Sequence, residues 1–506
     1  MISIIPEPVK LIQNRGFFKL NANTIIYCDL FNKDLGQYLR DLLAPATGFN
    51  LSVKEFTRKK IENNSITLKL ISKSEETSRE EYKLIVSSDG IEINSINPEG
   101  LFYGIQTLRQ IFPPEIESSQ RSNIEWIIPC VTVEDSPRFS WRGFMLDEAR
   151  HFFGKEVVKE ILDIMAFLKL NIFHWHLTDY QGWRIEIKNF PRLTDIGSKR
   201  KSTTLNLSRN KSDGKLYSGY YSQEDLREIV NYAKERFIKI VPEIDMPGHI
   251  TAALAAYPNL GCIEQSYEVS IRVGIFPEVL CIGKESTFKF IEFLLQEIIE
   301  IFPSNLIHIG GDEVLTKRWK NCELCQKRMK NENLRSEEGL QIYFANRISK
   351  ILEKKSKKVI VWNDILNDLL SKQILSQFWM DNSTQVIEQV KKGRNIIMSE
   401  MESVYLNHGY RRTPLSKSYL YEPIPDGLNE KYHKNVLGIE ACLWTELILE
   451  INDLEKKILP RLAAIAETGW TSRKKKNFVS FQSRLPPFLK RLQYLNINYA
   501  KEDDWF

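Results

Sequence analysis

The chain has 506 residues, 42% of them hydrophobic and 27% charged, an ordinary globular composition that is long enough for two domains. Its 70 Lys and Arg against 65 Asp and Glu leave a net charge of only +5, and no basic tract alternates with aromatic residues, so we expect no nucleic-acid partner. No apolar run approaches the roughly twenty residues of a membrane span, so we expect none.

The first residues, MISIIPEPVKLIQ, place Pro6, Glu7 and Pro8 where a secretory signal needs an apolar core. We therefore expect a cytoplasmic protein, and a leader removed beforehand would leave export open.

The first 130 residues alternate strand-like and helix-like runs. Strands are predicted at TIIYC, SITLKLI and YKLIVSSDGIEI, and a helix at GLFYGIQTLRQIF. The proline-marked stretch IIPCVTVEDSPRF is predicted to be a linker. We therefore expect an α+β domain at residues 1–130 and a second domain at 131–506.

The second domain repeats a strand and a helix about eight times. Amphipathic helices are predicted at KEVVKEILDIMAFLKL and STFKFIEFLLQEIIEIF, between strands of near-continuous apolar character. The strand-like runs are GFMLDEA, NIFHWHLTD, IKIVPEIDM, LIHIGGDE, VIVWND, ILSQFW, NIIMSE and VLGIEACLWTE. This alternation predicts an α/β fold, a (β/α)8 TIM barrel with insertions.

Ionisable and aromatic side chains follow most of these strands. Each has an ordinary structural explanation when taken alone, such as an ion pair, an interior histidine or a packed tryptophan. Together they fall where a TIM barrel keeps its active site. They are Asp147, Glu148, Arg150, His174, His176, Asp179, Glu243, Asp245, His249, Trp362, Trp379, Tyr405, Asn407, Trp444 and Glu446.

The chemistry of these residues favours carbohydrate. No GxSxG elbow, HExxH helix or phosphate-binding Walker loop is present, whereas tryptophan faces pack on sugar rings and carboxylates supply acid/base groups. Asp312 and Glu313 are adjacent, however, and ordinary glycosidases set two carboxyl groups on opposite sides of the scissile bond. If Glu313 protonates the leaving oxygen, a nucleophile within the substrate is one resolution.

Seven cysteines are scattered along the chain, and the only close pair is Cys322 and Cys325. There is no second CxxC and no HxxxH nearby, so structural thiols or a local disulfide are favoured over half a zinc site. We expect no metal and no cofactor.

Several motifs resemble those of glycoside hydrolase family 20, the β-N-acetylhexosaminidases, over about residues 130–475. The first domain also resembles the small α+β domain that precedes the barrel in that family. The motifs are DSPRFSWRGFMLDEARHFF, HWHLTD, PEIDMPGH, HIGGDEV, VWND, the YLN of VYLNHGY, EACLWTE and PRLAAIAETGW.

This resemblance implies retaining, substrate-assisted hydrolysis through an oxazolinium intermediate. Glu313 matches the general acid and base, and Asp312 matches the residue that orients the 2-acetamido group and stabilises the oxazolinium. We expect Asp312 to stay ionised and thereby to favour the protonated form of Glu313.

The resemblance also assigns substrate-binding residues. Tyr405 would donate to the acetamido carbonyl, Arg150 rather than Arg142 would hold the outer hydroxyls, and Asn407 stands where the family carries Asp or Asn. The remaining matches are the pocket walls Trp362, Trp379 and Trp444, the Arg150 partner Glu446, and the supporting pair Asp179 and His249.

The expected function is an exo-acting hydrolase of terminal β-linked GlcNAc or GalNAc. One alternative is a disaccharide-releasing lacto-N-biosidase, because specificity resides in barrel loops and the segment HGYRRTPLSKS has no counterpart among the motifs above. The other alternative is a non-catalytic sugar-binding barrel. The expected partner is a glycan or glycoconjugate, and the protein is expected to be a monomer or a homodimer.

Overall fold

In the computed structural model, which describes residues 2–55, 62–72, 78–205, 211–380 and 383–505, an open sheet precedes a closed barrel. The strands of the sheet are β1 (Lys10–Lys19), β2 (Ile25–Cys28), β3 (Ser52–Glu55), β4 (Ser65–Leu70), β5 (Tyr82–Val86), β6 (Gly90–Ser95) and β7 (Ile127–Asp135). Their order across the sheet is β1-β7-β5-β6-β4-β2-β3. The helices α1 (Lys33–Thr47) and α2 (Pro98–Ile111) pack against it, so the predicted strands and helix of this domain are confirmed.

The prediction of a linker at residues 127–139 is wrong for most of that stretch, because Ile127–Asp135 form strand β7. This strand pairs antiparallel with both β1 and β5. Val131 and Val133 are fully buried, and the alternation of VTVED outweighs the proline before it as a structural signal. The sheet of the first domain therefore continues to Asp135.

The following strands build the barrel and two small hairpins. They are β8 (Trp141–Asp147), β9 (Ile172–His176), β10 (Thr178–Asp179), β11 (Gly182–Trp183), β12 (Lys199–Arg200), β13 (Tyr217–Ser218), β14 (Lys239–Glu243), β15 (Leu306–His308), β16 (Lys358–Trp362), β17 (Leu375–Phe378), β18 (Ile396–Met398) and β19 (Val436–Leu443). The closed order is β14-β15-β16-β17-β18-β19-β8-β9, all parallel. Each of the eight strands predicted from apolar runs is present, so the TIM barrel is confirmed.

Helices cover the outside of the barrel and close the chain. They are α3 (Lys155–Phe167), α4 (Arg192–Asp195), α5 (Gln223–Glu235), α6 (Thr251–Ala256), α7 (Glu285–Ile301), α8 (Lys317–Lys320), α9 (Glu323–Asn331), α10 (Glu337–Glu353), α11 (Ser383–Lys391), α12 (Met401–Val404), α13 (Leu415–Leu420), α14 (Ile451–Ile458), α15 (Arg461–Trp470) and α16 (Phe478–Tyr494). None of the helices in the described ranges is both long and apolar enough to cross a bilayer.

The barrel interior changes character from one end to the other. The amino-terminal ends of the strands contribute an apolar layer formed by Trp141, Ile172, Val241, Leu306, Ile360, Leu375 and Ile397. Towards the carboxyl ends the inward-facing residues become ionisable, with His174, Glu243, His308 and Glu440 all buried. A parallel barrel buries its strands on both faces, so these polar groups must bond to one another, and they form a rigid platform below the mouth.

The two domains are joined through a buried ion pair and the last helix. Asp135 of β7 lies 3.0 Å from the Lys169 ammonium and accepts from the Trp470 indole at 2.9 Å. From α16, Arg491 donates to two carbonyl oxygens at the end of α2 and beyond it. The first domain therefore packs against the barrel at a distance from its mouth.

Candidate active site

The HIGGDEV segment leaves regular strand geometry directly after β15. Gly310 and Gly311 have φ values of 65° and 92°, and a Cβ on Gly310 would lie 1.8 Å from the Asp245 carboxylate. Glu313 is also left-handed, at φ 50°, a conformation that costs energy in a residue with a side chain. Its amide donates to Asp364 Oδ1 at 3.0 Å, which holds this backbone in place. The alternation of a strand is thus broken, and adjacent acids can face one pocket.

Asp312 and Glu313 both lie beside His249. His249 Nε2 is 3.7 Å from Asp312 Oδ2 and 3.6 Å from Glu313 Oε2. On its other side His249 Nδ1 lies 3.1 Å from both carboxylate oxygens of Asp179. The supporting pair predicted from the sequence is therefore assembled directly behind the two acids.

The charges in this cluster shift one another. Burial opposes a charge on His249, but Asp179, Asp312 and Asp245 outweigh burial and hold the pKa of His249 well above its ordinary value. Burial also opposes the anion of Asp179, yet Arg150 and His249 lower the pKa of that carboxyl far below its usual range. At neutral pH the cluster therefore holds an imidazolium beside the Asp179 carboxylate.

Asp312 behaves differently from the expectation. Burial raises its pKa to about 7, nearby acids add to the rise, and His249 offsets only part of it. One carboxylate oxygen, Oδ1, is buried and has no hydrogen-bond partner among the described residues. A pKa near 7 leaves only part of Asp312 ionised at neutral pH, because burial disfavours its anion more than His249 favours it, so the expectation that Asp312 stays charged is met only in part.

Arg150 occupies the opposite edge of the charged cluster. Its guanidinium lies 2.8 Å from Asp179 and 3.1 Å from Asp147, and 3.9 Å from the predicted partner Glu446. Arg142, within β8, instead pairs with Glu80 of the first domain at 2.6 Å. The structure therefore puts Arg150 at the mouth and Arg142 at the domain junction, with Glu446 as the most distant of the three carboxylates.

The predicted aromatic residues form the other side of the mouth. Trp379 and Tyr405 stack with their rings 11° from parallel and centroids 6.3 Å apart. The Trp444 ring lies 6.2 Å from Tyr405 and 5.9 Å from Trp362. Trp362 is only 1% exposed and donates its indole N–H to Glu243 at 2.9 Å. It therefore forms the floor of the enclosure, while Trp379 and Trp444 are partly open.

Tyr405 is set up as a hydrogen-bond donor. Its ring stacks on Trp379 and lies 6.2 Å from the Trp444 ring, and a phenolic hydroxyl carries one proton that it can donate. Burial raises the pKa of Tyr405 well above its ordinary value, and the charge of Asp312 adds to the rise. The hydroxyl consequently stays protonated and lies within electrostatic reach of Asp312.

A buried hydrogen-bonded network centred on Glu243 lies below both the charged cluster and the aromatic wall. Glu243 receives the Trp362 indole and lies 2.5 Å from His176, 3.0 Å from His174 and 2.9 Å from His308. Burial opposes its charge, but the three histidines hold the pKa of Glu243 well below its ordinary value.

Glu440 is the second centre of this network and was missed. It accepts from Gln377 at 2.7 Å and from Trp141 at 2.8 Å, and lies 2.8 Å from His174. The signal available in the sequence is a polar residue inside an otherwise apolar strand, as in LSQF and GIEAC.

Asp364 and Gln181 are further residues of the site without a predicted role. Asp364 accepts from the amide of Glu313 and from the Trp379 indole at 2.8 Å, so it links the acid loop to the aromatic side. Gln181 accepts from Arg150 at 3.2 Å. Asp364 lies in the VWND motif, so its place in the site could have been predicted from the sequence.

Asn407 is the predicted residue with the weakest connection to the site. It is half-buried, its main-chain oxygen accepts from Lys457 at 2.8 Å, and its side-chain oxygen has no hydrogen-bond partner among the described residues. Asn407 follows Tyr405 by two positions, so its side-chain oxygen is an unpartnered acceptor near the aromatic side of the mouth.

A TIM barrel that faces a carboxylate cluster with a wall of tryptophans has the fold and the site of a glycoside hydrolase. Residues 139–473 match the family model described as glycosyl hydrolase family 20, catalytic domain, and residues 1–136 match domain 2 of the same family. The chain belongs to glycosyl hydrolase family 20, as the motif resemblance indicates.

Relatives of known name agree with this assignment. A β-hexosaminidase of Porphyromonas gingivalis is 38% identical over 513 residues, 98% of this chain and 64% of that relative, so the chain spans less than two thirds of its length. The family 20 β-N-acetylhexosaminidase of Streptomyces coelicolor A3(2) superposes with a TM-score of 0.86 at 30% identity, covering 99% of this chain and 97% of that one. The exo β-N-acetylglucosaminidase of Vibrio harveyi in complex with N-acetylglucosamine gives 0.84 at 29%, covering 98% and 78%.

Proposed function

We propose that the protein is an exo-acting, retaining β-N-acetylhexosaminidase that removes terminal, non-reducing β-linked GlcNAc or GalNAc from a glycan or glycoconjugate. The observation that carries the proposal is a buried, unpartnered acceptor, Asp312 Oδ1, on a carboxyl group whose charge acts on the buried Tyr405 hydroxyl. The unpartnered Asp312 Oδ1 can accept an amide N–H, and the Tyr405 hydroxyl can donate to a carbonyl. A secondary amide presents this pair of groups, and its methyl group suits the tryptophan wall.

The adjacency of the two acids supports the mechanism. Asp312 and Glu313 come from one loop and approach the same His249 nitrogen, whereas ordinary glycosidases place the carboxyl groups on opposite sides of the scissile bond. In the proposed reaction the acetamido oxygen attacks the anomeric carbon while Glu313 protonates the departing oxygen. Asp312 accepts the amide N–H and stabilises the cation that forms on the oxazolinium ring.

The second half of the reaction reuses Glu313. A water molecule attacks the anomeric carbon of the oxazolinium from the face that the leaving group vacated, and Glu313 takes its proton. The carbon–oxygen bond to the former acetamido oxygen breaks, which restores the acetamido group and leaves the product with its original configuration. Arg150 and Glu446 would hold the outer hydroxyls of the sugar during both steps.

The test compares an aryl β-N-acetylglucosaminide with the matching aryl β-glucoside. We expect turnover of the first to exceed that of the second by at least about 10³-fold, since only the first carries the nucleophile. Stepwise fluorination of the acetamido methyl should lower kcat with each fluorine, because it weakens the attacking oxygen. Equal turnover of the two glycosides contradicts the mechanism, and disaccharide release from a defined glycan contradicts the exo-hexosaminidase assignment.

A further inference from the structure

Four cysteine side chains from three separate stretches of the chain lie close together. This four-cysteine cluster consists of Cys262, Cys281, Cys322 and Cys325, whose sulfurs all lie within 4.8 Å of one another. The distance from Cys325 to Cys262 is 3.8 Å, and that from Cys281 is 3.7 Å to both Cys322 and Cys325.

These distances fit a metal centre better than disulfides. A disulfide requires sulfurs about 2.05 Å apart, and all four cysteines are free thiols. A tetrahedron of thiolates about 2.3 Å from a zinc ion instead places the sulfurs about 3.8 Å apart. We propose that the four-cysteine cluster is a structural tetrathiolate zinc site, which takes no part in the hydrolysis itself.

The surroundings of the cluster are those of a closed structural site. Cys281 and Cys325 are fully buried, Cys322 is nearly so, and only Cys262 is partly exposed. A Cβ on Gly283 would lie 2.3 Å from the backbone of Leu324, so the turn after Cys281 is pressed directly against the CxxC turn.

Sequence spacing conceals this site. Cys322 and Cys325 have no second CxxC near them, which favours thiols or a local disulfide, but the barrel brings in two ligands from 41 to 63 positions away. One of the two favoured possibilities, the local disulfide, is not formed. The expectation of no metal is the part of the sequence argument that this proposal reverses.

The position of the cluster suggests what the metal would hold in place. Cys322 lies nine residues after Glu313, on the same connection from β15. Cys262 and Cys281 both lie in the long connection from β14 to β15, on either side of Phe276. Zinc would therefore clip together the two connections that meet at the acids.

A chain of aromatic contacts links the connection after β14 to His249, which lies beside Asp312 and Glu313. The Phe276 ring packs edge-on against Tyr180 at 4.9 Å, and Tyr180 in turn packs over His249 at 4.5 Å. Tyr180 also donates its hydroxyl to the Phe276 carbonyl at 3.2 Å. Loss of the clip should accordingly loosen both the Glu313 loop and the packing behind His249.

The test measures metal in the full chain purified under reducing conditions without chelators. Elemental analysis should find about one zinc per chain in the wild type and in the control C130S, which alters a buried cysteine of β7 outside the cluster. The double variant C322S/C325S should lose at least nine tenths of that zinc and melt several degrees lower. Stoichiometric iron in place of zinc would overturn the assignment.

A second measurement keeps the proposal testable if the double variant does not fold. Chelator-stripped wild type should take up one cobalt(II) ion and show intense thiolate-to-cobalt charge-transfer absorption, since four thiolates bind such an ion in a tetrahedron. Four freely titrating thiols without that absorption, or a mass deficit that corresponds to disulfides in the reduced preparation, would overturn it. Neither readout depends on turnover of any glycoside.

Discussion

The two sides of the barrel mouth carry different types of side chain. The side formed after β9, β14 and β15 is ionisable, and its groups change one another's charge around His249. The side formed after β16 to β19 is aromatic, and its indole N–H groups donate to Glu243 and Asp364. If the proposed roles hold, the difference separates proton transfer from shape recognition in this pocket, and we expect substitutions on the two sides to alter different kinetic constants.

The largest effect is expected at Glu313, the group on the ionisable side that we propose transfers the proton. Glu313→Gln should lower kcat by about 10³-fold or more on a sugar leaving group, while KM changes little. The loss should be smaller for an aryl glycoside with an acidic phenol, because that leaving group needs less protonation. A loss below about tenfold on both substrates would remove Glu313 from its proposed role.

The next effect is expected at Asp312, and it carries a pH signature. Asp312→Asn should lower kcat by about 10² to 10³-fold, because a neutral amide cannot stabilise the oxazolinium cation. In the wild type the active form is the anion, so kcat/KM should fall as the pH drops below about 7, the pKa to which burial raises this carboxyl. The rate profile of the variant should lack this acid limb, and an unchanged limb would assign the titration to another group.

A smaller effect is expected from the aromatic side. Tyr405→Phe keeps the ring that stacks on Trp379 and removes only the hydroxyl, so a loss of about 2 kcal/mol in kcat/KM, roughly thirtyfold, is expected. The acid limb assigned to Asp312 should remain, since the ionisable side is intact. Its disappearance would mean that the two sides are not separable.

The smallest effect is expected at His249, a positioning residue. His249→Asn should lower kcat by about tenfold, in the range typical of groups that orient a reacting residue. Because His249 lowers the pKa of Asp312, its loss should also shift the acid limb of kcat/KM to higher pH. A rate loss without that shift would indicate a purely structural role.

The sequence predicts the barrel well because each strand is a short apolar run buried on both faces, a pattern that does not depend on distant residues. The family motifs likewise bring Asp179, His249, Asp312 and Glu313 into one place. Other features depend on contacts that no local pattern reveals. Strand β7 needs β1 and β5 on either side, the charge of Asp312 depends on burial, and the four-cysteine cluster draws on residues up to 63 positions apart.

One carboxylate in the pocket, Asp179, is paired with two cationic side chains at once. Asp179 lies 2.8 Å from Arg150 and 3.1 Å from His249, so it connects the group proposed to grip the outer hydroxyls with the group beside both acids. A sugar that draws Arg150 towards itself leaves more of the negative charge on Asp179 to act on His249. Binding of the outer hydroxyls of the sugar at Arg150 would then change the basicity of His249, which lies beside the two acids. A ligand that lacks those hydroxyls would be turned over more slowly as well as bound more weakly.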